Sequence, residues 1–93
     1  MRLLWGGRFK RDFKRLVKKN PQLVDPIQES IQQLTENPFH PSLNTHKLLG
    51  ELSGVWSCSI DYSNRILFEF SEHPCSGEAV IFLLTLGSHD EVY

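Results

Sequence analysis

Two histidines, an arginine and a tyrosine are the residues of this 93-residue chain whose types point to chemistry. His46 lies at the end of a proline-rich stretch, and Arg65 opens an alternating run. His89 and Tyr93 follow a long apolar segment. Metal-free cleavage of RNA by its own 2′-OH needs little more than this set. A base takes the hydroxyl proton, a cation neutralises charge developing on the phosphorane, and an acid protonates the leaving 5′-oxygen. Histidine titrates near neutrality and serves either proton transfer. Arginine matches phosphate oxygens with a fixed fork of donors. Each positioned acid or base contributes ~10²–10⁴-fold in rate. Taken singly, the residues have plainer readings: His46 as an exposed loop histidine, Arg65 as a partner of Asp61 or Glu69.

Other chemistries find less support. There is no glycine-rich phosphate loop and no nucleophile elbow. Ser88, His89 and Asp90 spell a hydrolase triad, but adjacent residues cannot chain their side chains in series. His40, His46, His73, His89, Cys58 and Cys75 lack paired-ligand spacing, so neither a metal nor another cofactor is expected. The two cysteines make no framework and read as reduced thiols. The longest apolar run is about eight residues against the ~20 of a membrane span. No leader pattern opens the chain, so the expectation is a cytoplasmic protein without membrane contact. Net charge is −1, yet seven of the ten basic residues fall between Arg8 and Lys19. That asymmetry suits an anionic partner, nucleic acid or an acidic protein segment, and equally a solvated helix face.

The elements that must position these groups follow from periodicity. A single domain, residues 1–93, is all that this length supports. Arg2–Trp5 reads as an opening strand. Phe9, Phe13, Leu16 and Val17 form the stripe of a first helix from Arg8 to Lys19, with all seven basic residues off it. Leu23, Ile27, Ile31 and Leu34 mark a second helix, capped at Asn20 with Pro21 or at Asp25 with Pro26. It ends before Pro38. Asn37–His46 reads as a loop. Three strands follow: 56–61, 65–70 and the continuous apolar run 79–86, which is expected to be central. The sum is an α+β domain, with an N-terminal strand and an antiparallel two-helix hairpin on one face of a mainly antiparallel four-stranded sheet. Trp56, Cys58, Ile60, Ile66, Phe68 and Phe70 belong to the covered face. Ser57, Ser59, Asp61 and Arg65 belong to an open polar face. Gly87 is expected to let the chain turn off the last strand.

Two stretches carry a resemblance. "HKLLGELSGVWSCSIDYSNRILFEF" contains the pattern H-x-L-x-G-x-L-x-G-x-W-S followed by N-R-I-L-F, and the chain closes with "IFLLTLGSHDEVY". Together these resemble the RelE/ParE superfamily of toxin–antitoxin toxins, above all its RelE, YoeB and YafQ branches that act as mRNA interferases. The front half agrees in its order of elements and its basic first helix. The resemblance implies a microbial-RNase-like fold and ribosome-dependent mRNA cleavage without a metal. It also implies neutralisation by a cognate antitoxin, with operator DNA reached only through that antitoxin. By position, His46 matches the candidate general base, Arg65 the arginine on the scissile phosphate, and His89 the candidate general acid. Tyr93 matches a terminal aromatic that orients or stacks a nucleotide. Ser59 stands where some relatives carry a second arginine, leaving phosphate affinity to Arg65 and Lys47. Arg11, Lys14 and Arg15 on the first helix are further candidates for RNA contact. Two alternatives share this fold: a non-enzymatic ParE-like toxin that binds DNA gyrase, and an inactive homologue that only binds antitoxin.

Overall fold

The computed structural model describes every residue from Met1 to Tyr93. Strand β1 (Arg2–Trp5) leads into helix α1 (Gly7–Lys19), and a single 3₁₀ turn (Pro21–Leu23) carries the chain into α2 (Val24–Glu36). A second 3₁₀ turn, Pro41–Leu43, precedes a two-residue strand β2 (His46–Lys47). Strands β3 (Trp56–Ser59), β4 (Asn64–Glu72) and β5 (Ala79–Ser88) follow, and the chain closes in a short helix α3 (His89–Val92). The strands form one sheet in the order β1-β5-β4-β3-β2. β1 runs parallel to β5 and the other pairs are antiparallel.

The architecture is the α+β arrangement read from the sequence, with one strand more. His46, expected to end a loop, and Lys47 after it pair with Ser57 and Trp56 and make a fifth strand. Two residues carry too little pattern to announce a strand, and only the partner edge of β3 makes them one. Neither expected side-chain cap forms on α2. Instead Pro21 starts the 3₁₀ turn, and Asp25 falls inside the first turn of α2.

The core joins both helices to one face of the sheet. Phe9 and Leu16 of α1, Ile27 and Leu34 of α2, and Cys58, Ile66, Phe68, Ile81, Leu83 and Leu86 of the strands form one buried cluster. Inward positions on β5 shift from odd to even between Leu83 and Leu86. The cause is a bulge: Leu67 pairs with Thr85 but Phe68 with Leu83, which leaves Leu84 as the extra residue. Beyond the bulge Ile66 faces Leu86 inside the core, so Arg65 and its partner Gly87 lie on the opposite face. Without that extra residue, Gly87 and the end of β5 would present their other side.

Two features of the sheet differ from the alternating pattern. Phe70, expected under the helices, is 37 % exposed and packs with Phe39 and Trp56 in an aromatic cluster at the sheet's far end. Leu67 and Ser57, on the face expected to be open and polar, are buried. No helix is long and apolar enough to cross a membrane.

Candidate active site

The register fixes how the candidate groups face one another. His46, Ser57, Leu67 and Thr85 stand opposite one another across β2, β3, β4 and β5, and Ser59, Arg65 and Gly87 form the next row on that face. Strands lie about 4.8 Å apart and same-face residues about 6.7 Å apart along a strand. The backbones of His46 and Arg65 are therefore roughly 12 Å apart.

Each side chain is held by its own local device. Asn44, at φ 50°, takes the left-handed turn that ends the Pro41–Leu43 helix. Its carbonyl accepts from His46 Nδ1 at 2.8 Å. A carbonyl only accepts, so Nδ1 carries the proton and the neutral ring keeps its lone pair on Nε2.

Arg65 anchors the β3–β4 turn. Its Nη1 donates to the carbonyls of Asp61 at 2.7 Å, Tyr62 at 3.1 Å and Asn64 at 3.0 Å. These oxygens orient the guanidinium without neutralising it. The Asp61 carboxylate does not pair with Arg65; it accepts from the backbone N–H of Ser63 and Asn64 and from the Asn64 side chain. Arg65 thus keeps a full charge and its remaining donors for an anion.

The chain end is not a frayed tail. β5 runs through Ser88, so Gly87 lies within the strand rather than at its turn. The turn comes at Ser88, whose hydroxyl accepts from Glu91 N while the Glu91 carboxylate accepts from Ser88 N, a complete capping box. A Cβ at Gly87 would lie 3.3 Å from the Cβ of Glu91, a tight contact where α3 folds back on the strand. His89 N donates to Ser63 O at 3.1 Å, tying α3 to the same turn that holds Arg65. The His89 and Tyr93 rings meet edge to face at 4.3 Å between centroids, and Asp90 Oδ1 is 3.7 Å from His89 Nδ1. The Tyr93 hydroxyl bonds Ser57 Oγ, which is fully buried beneath it.

Arg15 reaches α3 from α1, 3.5 Å from Glu91 and 3.4 Å from Asp12. The hydrogen bonds from Ser88 and the charge of Arg15 hold the Glu91 carboxyl below its ordinary pKa. Asp12 in turn accepts from Leu86 N at 3.2 Å, on the edge of β5 that β1 no longer covers.

These devices bring four of the candidate residues to one place. A cleft of about 380 Å³ is lined by His46, Leu48, Arg65, His89 and Tyr93. The secondary candidates are not part of it. Lys47 extends over the Trp56 ring, 5.5 Å from its centroid, on the opposite face from His46. Ser59 pairs with Arg65 but lines a depression beside α2 with Glu29, Ser30 and Gln33. Arg11 and Lys14 are exposed on α1. Arg15 is held by Asp12 and Glu91. Ser57, Leu48 and the Ser88–Glu91 box were missed in the sequence. The box alone had a signal there, the S-x-x-E spacing of "SHDE". No group of three or more His, Cys, Asp or Glu side chains converges to hold a metal ion.

The profile of a family described as bacterial toxin of type II toxin-antitoxin system, YafQ, matches residues 1–93. The chain belongs to this family. As a type II toxin of the RelE/ParE superfamily it has an antitoxin as its partner. Among solved structures, a YoeB/ParE toxin from Agrobacterium tumefaciens matches with a TM-score of 0.77 at 21% identity, over 96% of this chain and 99% of that one. YafQ from Escherichia coli strain BL21(DE3) matches with a TM-score of 0.79 at 14% identity, over 100% and 99%. A metal-bound toxin from Helicobacter pylori gives 0.78 at 26% identity, over 100% and 99%. No curated protein sequence matches. The YafQ-type toxin thus shares its overall fold with a group whose sequences have diverged widely.

Proposed function

We propose that this toxin is a ribosome-dependent endoribonuclease that cuts mRNA by acid–base catalysis and so arrests translation in the cytoplasm until its antitoxin binds. The observation that carries the reading is one cleft lined by His46, Arg65, His89 and Tyr93. In it the base-competent nitrogen and the phosphate-binding cation are both left free by their internal hydrogen bonds.

In the proposed reaction His46 Nε2 takes the proton of the ribose 2′-OH as that oxygen attacks the phosphorus. Arg65 binds the non-bridging oxygens and offsets the charge that builds on the phosphorane. His89, protonated and beside Asp90, gives its proton to the departing 5′-oxygen. The products are a 2′,3′-cyclic phosphate and a free 5′-hydroxyl. Tyr93, fixed by Ser57, sets the His89 ring and offers its own face to a nucleotide. A domain of this size holds only part of a substrate channel, and the ribosome supplies the rest by presenting the mRNA.

The test is expression without antitoxin, comparing wild type with His89→Ala and mapping mRNA ends. Wild type should arrest growth and leave cuts within codons, and the variant should do neither. Arrest that survives His89→Ala, or arrest with intact mRNA and a DNA-damage response, would refute the nuclease reading in favour of a binding toxin.

A further inference from the structure

A second depression adjoins the candidate active site and shares two of its walls. It has a volume of about 500 Å³ and is lined by Tyr62, Ser63, Arg65, Ser88, His89 and Asp90. Arg65 and His89 belong to both hollows, whereas His46 borders only the first. A phosphate held at Arg65 therefore sits on a ridge with a hollow on either side.

The direction of an RNA chain over this ridge follows from the chemistry. The base must reach the 2′-OH of the nucleotide on the 5′ side of the cut, and the acid must reach the 5′-oxygen on the 3′ side. His46 places the first nucleotide in the first cleft. The strand leaving the phosphate then passes His89 into the second depression.

At its rim stands Tyr62, 96 % exposed. An exposed ring adds nothing to folding, yet its backbone is held firmly. Asp61 caps the two residues after it, and Arg65 Nη1 bonds the carbonyls of Asp61 and of Tyr62 itself. The same guanidinium that would bind the scissile phosphate thus fixes the turn that presents the ring. The Asp61 carboxylate is turned to the N–H groups of Ser63 and Asn64 and to the Asn64 side chain, so it does not occupy Arg65.

We infer that the second depression is the subsite for the nucleotide 3′ of the cut, with Tyr62 as the platform on which its base stacks. This rests on the nuclease reading. Stacking accepts any base because every base has a π-face, so the subsite supplies affinity and register rather than sequence choice.

The experiment measures cleavage of ribosome-bound mRNA by wild type, Tyr62→Ala, Tyr62→Phe and His89→Ala. A parallel mRNA carries an abasic ribonucleotide immediately 3′ of the cut. Tyr62→Ala should raise KM roughly 5- to 150-fold, the loss of one base–aromatic stack, with kcat retained. Tyr62→Phe should restore wild-type KM. On the abasic mRNA, Tyr62→Ala should add no further loss. Wild-type KM in Tyr62→Ala beside an inactive His89→Ala would overturn the subsite alone, as would losses that add independently on the abasic mRNA. No cleavage by the wild type would overturn the nuclease reading and the subsite with it.

Discussion

The hydrogen bond between Tyr93 and Ser57 ties the last residue of the chain to the middle of the sheet, and its two ends are unequal. Ser57 is fully buried, whereas Tyr93 is 41 % exposed. Removing the serine hydroxyl leaves a phenol that water can reach, so Ser57→Ala costs only the net hydrogen bond, about 0.5–1.5 kcal/mol. Removing the phenol hydroxyl leaves Ser57 Oγ buried without a partner. Tyr93→Phe therefore costs about 1–3 kcal/mol, the desolvation of an unpaired polar group. In a domain of this size, 2 kcal/mol corresponds to roughly 8–16 °C in Tm. The double variant replaces both partners by apolar groups and should lose less than the two single variants together. Urea unfolding followed by tryptophan emission and by circular dichroism measures all four proteins. A double variant whose loss equals the sum, or a Ser57→Ala costlier than Tyr93→Phe, would refute the buried pairing and with it this account of how the chain end is docked.

Two further outcomes are expected. The Glu91 carboxyl is held below its ordinary value of 4.5, so its stabilisation of α3 is complete above that pH and fades as pH falls through the lowered value; amide protection in α3, corrected for the intrinsic exchange rate at each pH, should fall in acid before that of the sheet, and Glu91→Gln should remove that pH dependence. Burial pushes the Cys58 thiol up to about 12, whereas Cys75 is exposed; a thiol reagent at pH 8 should label one cysteine of the native protein and both in denaturant, and labelling of both in the native state would contradict the packed core.

Local chemistry made much of this protein legible. The 3.6-residue stripe of Phe9, Leu16, Ile27 and Leu34 shows both helices, because a face that must be buried repeats with the helix turn. Prolines 21 and 38 bracket the second helix through their fixed φ and missing N–H. The residue types of the candidate site, two histidines, an arginine and a tyrosine, are legible as chemistry in the sequence.

What stayed hidden depends on partners far along the chain. β2 exists only because β3 offers His46 and Lys47 an edge. Ser57 reads as an outward polar residue by alternation and becomes buried only when Tyr93, 36 positions later, lies down over it. Arg65 might as well have paired with either nearby acid by spacing; the turn instead gives Asp61 to the backbone and leaves the guanidinium its charge. The sequence alone specifies the helices, the strands other than β2 and the candidate reacting groups, since periodicity and residue chemistry act over a few residues. Tertiary structure decided which groups share a cleft. A one-residue bulge at Leu84 sets which face of β5 its end presents, and no local pattern counts that residue as extra.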